Sequence, residues 1–193
     1  MLPQLIFATQ NRNKAIEISA LLEGKFDVRS LIDLGYTGEI PETGHTLEDN
    51  ALIKARHVFK LTGKNCFADD TGLEVDALNG APGVYSARYA GEQKNDSDNI
   101  DLLLQKLRNE PDRKAHFRTV IALIFDGEEY LFEGIVKGEI ITEKKGNGGF
   151  GYDPVFKPEN SEITFAQMLL EEKNQISHRA QAFAQMKNFL MNL

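Results

Sequence analysis

The sequence contains a single cysteine, Cys66, and no long run of apolar residues. One cysteine cannot form a disulfide within the chain, and one thiol cannot supply a cysteine-rich zinc site. No stretch approaches the roughly 20 consecutive apolar residues that a membrane-spanning helix needs. The N-terminal stretch has no basic region and soon becomes polar, unlike a secretory signal peptide. These absences predict an intracellular protein without a membrane partner, and we expect it in the cytoplasm.

The sequence also has fewer basic residues than acidic ones. The 29 acidic residues outnumber the 22 basic ones, which gives a formal net charge of −7. Such a chain has no general attraction for the nucleic-acid backbone, so we expect no nucleic-acid polymer as a partner, although local binding of an anion remains open. The hydrophobic content of 41% and the length of 193 residues are typical of one globular domain. We therefore predict a single domain over residues 1–193.

Hydrophobic periodicity and turn residues predict the order of the elements. The first half contains a strand over residues 5–8, a helix that ends near Gly24, a strand over 26–30, a helix from an N-cap at Thr46 to about Gly63, and a strand over 66–68. A third helix ends before Pro111. Two β-rich runs follow over 115–125 and 130–141 around an Asp126-Gly127 turn, and the chain closes with helical pieces over 165–172 and 177–191. This order predicts an α/β fold with a mixed sheet, a long hairpin and flanking helices.

The first candidate for chemistry is the polar turn Thr9-Gln10-Asn11-Arg12-Asn13-Lys14. It follows the first strand and opens the first helix, so backbone N–H groups and the Lys14 ammonium are able to converge on phosphate oxygens. Neither the Walker pattern nor Gly-x-Gly-x-x-Gly is present. A polar turn with a lysine at a helix start is also a common structural feature, and the turn alone leaves both interpretations open.

The second candidate is Asp69-Asp70-Thr71-Gly72, which we expect to lie between two strands. Adjacent carboxylates repel unless they share a cation or one of them caps a turn. Mg²⁺ favours few carboxylates together with water and substrate phosphates, and Glu42 in an earlier loop completes such a set. A structural Asp-Thr-Gly turn is the alternative. An aspartic protease needs two Asp-Thr-Gly motifs, and this chain has one.

The third candidate is the glycine-rich segment from Gly148 to Pro154. Glycines permit close approach of a ligand to the backbone, and Phe150 among them is suited to stacking on a flat base. The same aromatic ring is equally suited to packing in the core. Asp153 precedes a proline and is conformationally restricted, so it is also a candidate for simply shaping the turn.

The fourth candidate is Lys173 together with Ser177-His178-Arg179 at the start of the last predicted helix. Ser177 is a natural N-cap. The three basic side chains are possible donors to a base carbonyl or a phosphate, and a purely structural role is the alternative. Taken together, the four candidates describe a site for a nucleoside triphosphate.

Six segments in this order carry a resemblance to a known family. They are residues 9–14, Glu48-Asp49-Asn50-Ala51 with Lys54-Ala55, Ala68-Asp69-Asp70-Thr71-Gly72-Leu73, residues 80–89, Gly148 to Pro154, and Ser177-His178-Arg179. Together they resemble the inosine triphosphate pyrophosphatase family, and they span nearly the whole chain. The resemblance implies a nucleotide cleft between two lobes and a homodimer. It also implies Mg²⁺-dependent hydrolysis of ITP, dITP and XTP to the monophosphate and pyrophosphate.

The resemblance also implies roles for individual residues. Asp70 is the catalytic acid near metal and water, Thr71 contacts substrate, and Glu42 binds metal, with Glu39 as an alternative. The triphosphate is held by Thr9, Gln10, Asn11, Arg12, Asn13 and Lys14. The purine pocket consists of Phe150, Gly151, Tyr152, Asp153, Lys173, His178 and Arg179. Many members have glycine where this chain has Gln10, and we expect the change to be tolerated.

Two other functions remain open at this level. A related group of septum-inhibitor-like pyrophosphatases acts on pyrimidine or modified nucleotides. A nucleotide-binding sensor without catalysis is the second alternative, although such a protein has no need for the acids and the metal site.

Overall fold

The structure, a computed structural model, describes residues 3–22 and 26–192. The strands are β1 (Gln4–Phe7), β2 (Asp27–Ser30), β3 (Cys66–Val75), β4 (Pro82–Gly83), β5 (Lys114–Phe125), β6 (Glu128–Ile140) and β7 (Phe156–Pro158). The helices are α1 (Arg12–Leu22), α2 (Leu47–Thr62), α3 (Asp96–Lys106), α4 (Leu170–Ile176) and α5 (His178–Met191). The strands form one sheet in the order β2-β1-β3-β5-β6-β7, with β4 paired to β3.

The sheet is mixed, as predicted. β1 runs parallel to β2 and to β3, with Phe7 opposite Phe67, whereas β6 and β7 are antiparallel. Asp126 and Gly127 join β5 to β6 with φ angles of 50° and 88°, the left-handed conformation that two-residue hairpin turns favour. The predicted α/β class with a mixed sheet and a long hairpin is therefore confirmed.

The second helix has both predicted ends. The Thr46 hydroxyl accepts a hydrogen bond from the Asp49 amide at 3.1 Å, which caps the N-terminus of α2. Gly63 ends the helix with a φ of 63° and donates its amide to the Phe59 carbonyl. The predicted end of the first helix at Gly24 lies outside the described residues.

Two expectations about local structure are wrong. Asp69 and Asp70 do not lie between strands, because β3 continues through both of them to Val75. The strand tolerates the two carboxylates because each is paired with basic side chains, as described below. The predicted helix over residues 165–172 is instead a 3₁₀ turn, Phe165–Gln167, followed by α4, because the backbone at Met168 is extended.

The described residues divide into two compact units. Unit 1 comprises the described residues of Met1–Asp70, Thr119–Gly134 and Arg179–Leu193. Unit 2 comprises Thr71–Arg118 and Ile135–His178. The prediction that residues 1–193 form a single domain remains a prediction.

Each unit has its own apolar core. In unit 1 the Phe7 and Phe67 rings stack with centroids 4.5 Å apart, and Phe183 of α5 packs on Phe67. In unit 2 the core surrounds Phe117 and Phe156, whose centroids are 4.7 Å apart. No helix within residues 3–22 and 26–192 has the length and apolar character needed to cross a bilayer.

We predict that Phe67→Ala destabilises the protein by about 3–5 kcal/mol, because the substitution leaves a cavity under β3. Phe67 is fully buried between two other aromatic rings. Urea unfolding followed by circular dichroism measures the change. Leu131→Ala is the matched control, since Leu131 is 48% exposed and its truncation leaves no cavity. Equal stability of the two variants would contradict the prediction.

Candidate active site

Asp69 is a buried carboxylate with two basic partners in unit 1. Its Oδ2 atom accepts from Lys14 Nζ at 2.9 Å and from Arg179 Nε at 3.2 Å. Burial alone raises the pKa of Asp69, but the charges of Lys14 and Arg179 outweigh it and hold that pKa well below its usual value. Burial also lowers the pKa of Lys14, against the attraction of Asp69. Asp69 is therefore ionised throughout the physiological pH range.

Asp70 has different partners, because neighbouring residues of a strand point to opposite faces. Its Oδ1 accepts from Lys54 Nζ at 2.9 Å, and Asn50 Nδ2 donates to its Oδ2 at 3.3 Å. Lys54 also donates to Glu42 Oε1 at 2.7 Å. We call Lys14, Glu42, Lys54, Asp69, Asp70 and Arg179 the charged cluster.

The two aspartates of the charged cluster differ in their titration. Burial raises the pKa of Asp70, and the attraction of Lys54 only partly opposes this rise. Burial lowers the pKa of Lys54, but Asp70 and Glu42 outweigh it and raise that pKa above its usual value. Lys54 is thus a fixed cation, whereas Asp70 is a carboxylate whose basicity suits proton transfer.

The donor set of the charged cluster fits Mg²⁺. Glu42 and Asp70 both contact the Lys54 ammonium, so their carboxylates already share a cation. Within the described part of the chain, no three His, Cys, Asp or Glu side chains are grouped as metal ligands. Mg²⁺ commonly binds through one or two carboxylates and takes its remaining ligands from water and substrate phosphates. The choice of Glu42 over Glu39 as the second carboxylate remains a prediction.

The turn over residues 9–14 is arranged around its own side chains. Thr9 Oγ1 accepts from the Asn11 amide at 3.1 Å, and Asn11 Oδ1 accepts from the amides of Asn13 and Lys14 at 2.9 and 3.3 Å. These three backbone donors are therefore used within the turn. Arg12 is exposed at the start of α1, and the Lys14 ammonium lies at Asp69.

Unit 2 contains a second group of predicted residues. The Lys173 ammonium donates to Asp153 Oδ2 at 2.7 Å and lies 4.9 Å from the ring centroid of Phe150 and 5.5 Å from that of Phe165. Both members of the ion pair are buried. Asp153 Oδ2 also accepts from the Phe150 amide at 2.9 Å, which closes the glycine-rich turn.

The imidazole of His178 stacks on Phe117, with centroids 4.6 Å apart and ring planes 17° from parallel. The ring of Phe165 lies 6.2 Å from the same imidazole. We call Phe117, Phe150, Phe165, Lys173 and His178 the aromatic cluster. It combines aromatic rings with a donor-only ammonium, and its half-buried ring is that of Phe150.

Two other predicted residues, Tyr152 and Gly151, have structural partners in unit 2. Tyr152 is buried, and its hydroxyl donates to the Ser86 carbonyl at 2.9 Å. The Gly151 amide donates to Asp96 Oδ2 at 2.7 Å. Thr71 is half-buried in β3. Their contacts with a substrate remain predictions.

Asn50 and Lys54 belong to one of the motif segments but received no predicted role, and the structure places both side chains against Asp70. Both lie on α2, four residues apart and therefore on one face, and both are buried next to Ala51 and Ala55. Two buried polar side chains on an otherwise apolar helix face are costly without partners. In the sequence, two polar residues on this apolar helix face were the signal that Asn50 and Lys54 have polar partners in the folded protein.

Comparison with known proteins agrees with the predicted family. A sequence model of the Ham1 family matches residues 5–189. The chain belongs to the Ham1 family. A relative named dITP/XTP pyrophosphatase from Flavobacterium psychrophilum is 52% identical over 189 residues, which are 98% of this chain and 100% of the relative. A Porphyromonas gingivalis relative with the same name is 56% identical, with 97% of each chain covered.

The fold comparison leads to the same Ham1 family. The structure of a HAM1 protein from Coxiella burnetii superposes with a TM-score of 0.90 at 40% identity, with 100% of both chains covered. The Staphylococcus aureus Ham1 protein gives a TM-score of 0.88 at 43% identity, with 98% of both chains covered. The family predicted from the sequence motifs is therefore confirmed.

We predict that Asp69→Asn destabilises the protein by about 3–5 kcal/mol at neutral pH, because Lys14 and Arg179 lose their buried counter-charge. Thermal and urea unfolding measure the loss. Since folding lowers the pKa of Asp69, its contribution is present above the usual value of 3.8 and is lost as the pH falls through the folded-state value. The difference in unfolding free energy between the unsubstituted protein and Asp69→Asn should therefore decrease in acid.

Asp27→Asn is the matched control for this prediction. Asp27 also pairs with an arginine in unit 1, Arg29, but both side chains are exposed. Exposed pairs contribute little, so this variant should unfold like the unsubstituted protein. A similar stability of the Asp69 and Asp27 variants would contradict the proposed role of the buried pair.

Proposed function

We propose that this chain hydrolyses dITP, XTP and ITP to the monophosphate and pyrophosphate with Mg²⁺. It is a nucleoside triphosphate pyrophosphatase, a hydrolase of phosphoric anhydrides. The observation that carries the proposal is the charged cluster, in which Lys54 joins Glu42 and Asp70 beside the Lys14–Asp69 pair. The names of the dITP/XTP pyrophosphatase relatives support the nucleotide specificity.

The triphosphate is bound by the turn over residues 9–14. Lys14 supplies a positive charge that is held in place by Asp69, and Arg12 adds an exposed cation. Because the amides of Asn11, Asn13 and Lys14 are used inside the turn, side-chain donors do most of the binding. Charge on the phosphates is thereby offset where it increases during anhydride cleavage.

Glu42 and Asp70 are the residues that would hold a Mg²⁺ ion. When bound, the ion would polarise phosphoryl oxygens and offset their charge. Lys54, which already contacts both carboxylates, keeps them close together and limits their mutual repulsion. Asp69 is ionised but is occupied by Lys14 and Arg179, so its role is to position these cations.

Asp70 orients the attacking water and accepts its proton. The raised pKa of Asp70 increases its strength as a base in the ionised form, and Lys54 fixes one of its oxygens. Water attacks in line at the phosphorus whose leaving group is pyrophosphate. Asn50 holds the other Asp70 oxygen, which sets the direction of the carboxylate.

The aromatic cluster recognises the base. Hypoxanthine and xanthine carry an acceptor oxygen at position 6, whereas adenine carries an amino donor there. Lys173 has donors and no acceptor, so an adenine amino group there would meet a second donor and the two could not form a hydrogen bond. Such a mismatch costs about 1–3 kcal/mol per buried group, which is enough to discriminate between near-isosteric bases. The half-buried Phe150 ring provides the apolar surface on which the purine stacks.

The remaining proposals concern assembly and location. We propose a homodimer in the cytoplasm, with a small-molecule nucleotide as the partner and without a nucleic-acid polymer. The basis is the family resemblance together with the net charge of −7.

We predict that the protein releases pyrophosphate from dITP, XTP and ITP far faster than from ATP, UTP or TTP. Product identification by ³¹P NMR across this panel tests the proposal. Orthophosphate as the first product would refute it. Preference for UTP or TTP would instead indicate the septum-inhibitor-like activity, and tight dITP binding without turnover would indicate a sensor.

We predict that Asp70→Asn lowers kcat on the order of 10²–10⁴-fold, the usual effect of losing a general base. The fold should remain intact, because Lys54 keeps Glu42 as a counter-charge and asparagine keeps the size of the side chain. Asp27→Asn, at an exposed position, is the control and should keep full turnover. Steady-state kinetics with dITP measure both variants. Full activity of the Asp70 variant would contradict the assignment.

We predict that kcat/KM falls in acid at a higher pH than an ordinary aspartate would cause. Asp70 must be ionised to accept a proton, and its pKa is raised above the usual value of 3.8. Activity is therefore lost as the pH decreases through this raised value. Higher Mg²⁺ should move the acid limb to lower pH, because a bound cation favours the ionised carboxylate. Constant kcat/KM down to pH 3.8 in folded protein would contradict the prediction.

A further inference from the structure

Gln10 contacts a distant part of unit 1. Its Nε2 atom donates to the Gly38 carbonyl at 2.9 Å and lies 3.4 Å from the Tyr36 carbonyl. Gln10 belongs to the turn over residues 9–14, whereas its two acceptors belong to the loop between β2 and α2. The side chain thus links the proposed phosphate-binding turn to the loop that carries Glu42.

The same part of the loop is held from α2. The Tyr36 hydroxyl and His57 Nε2 are 2.7 Å apart, and their rings meet edge to face with centroids 5.8 Å apart. Gly38 makes this arrangement possible, because a Cβ atom there would lie 2.5 Å from the Tyr36 hydroxyl oxygen. Tyr36 and Gly38 are therefore fixed between Gln10 on one side and His57 on the other.

Glu42 follows Gly38 by four residues. Its carboxylate contacts Lys54 at 2.7 Å, and the nearby Gly44 amide donates to Asn50 Oδ1 at 2.8 Å. Asn50 also donates to Asp70, so this end of the loop is tied to the proposed base. The loop segment from Gly38 to Gly44, which includes Glu42, is thus held at one end by the Gln10 side chain and at the other by the Asn50 side chain.

We propose that Gln10 is a positioning residue that holds the Glu42 loop and thereby strengthens binding of the divalent cation. The inference rests on the proposed function, because it takes Glu42 as a metal ligand. Loss of one neutral hydrogen bond changes an equilibrium by about two- to tenfold, and this is the expected weakening of cation binding. Gln10 acts on the metal site through the loop backbone.

The test compares Gln10→Ala with the unsubstituted protein in two measurements. The first is amide hydrogen exchange over residues 36–46 in metal-free protein. The second is titration of the protein with Mn²⁺ alone, with free Mn²⁺ measured by electron paramagnetic resonance. We expect faster exchange confined to the loop and an apparent Mn²⁺ affinity about two- to tenfold weaker.

Two further variants make the test specific. Tyr36→Phe removes the hydroxyl contact with His57 from the other side of the loop and should change both measurements in the same direction. Gln4→Ala is the matched control, because the exposed Gln4 side chain also makes one hydrogen bond, to Lys64, in unit 1. This control should leave loop exchange and Mn²⁺ affinity unchanged.

Several outcomes would overturn the inference. Unchanged loop exchange in Gln10→Ala would show that the contact does not hold the loop. Unchanged Mn²⁺ affinity despite faster exchange would show that the loop does not control the metal site, and absence of Mn²⁺ binding in the unsubstituted protein has the same consequence. Turnover of dITP by the unsubstituted protein is measured separately, so failure of the proposed activity is distinguishable from failure of this inference.

Discussion

Two adjacent carboxylates on the buried strand β3 impose the main electrostatic constraint on unit 1. Strand geometry directs Asp69 and Asp70 to opposite faces, and each face must then supply a basic partner. Lys14 and Arg179 form ion pairs with Asp69, and Lys54 forms one with Asp70. These partners come from α1, α5 and α2. The positions of three helices are therefore coupled to one pair of neighbouring residues.

The same constraint separates the chemical roles of the two acids. Asp69 receives two cations and has a lowered pKa, whereas Asp70 shares one lysine with Glu42 and has a raised pKa. Environments that push two neighbouring pKa values apart are a frequent sign of distinct catalytic roles. In the proposed reaction, one aspartate holds the cations in place and the other accepts a proton.

Much of the fold was predictable because its signals are local. The Thr46 cap, the Gly63 end and the Asp126-Gly127 hairpin all depend on residues close in sequence. The continuity of β3 was not predictable, because two adjacent aspartates argue against a buried strand until their partners are known. Likewise, no local signal separated the turn Phe165–Gln167 from the helix α4 that follows.

The sequence alone determined the residue types of the candidate site, their order along the chain and, through that order, the family. Tertiary structure decided which charges meet. Arg179, expected beside the base, contacts Asp69, 110 residues earlier, and Lys54 brings Glu42 and Asp70 together. Sequence spacing cannot encode these contacts, since each depends on how separate helices pack on the strand and on the need to pair every buried charge.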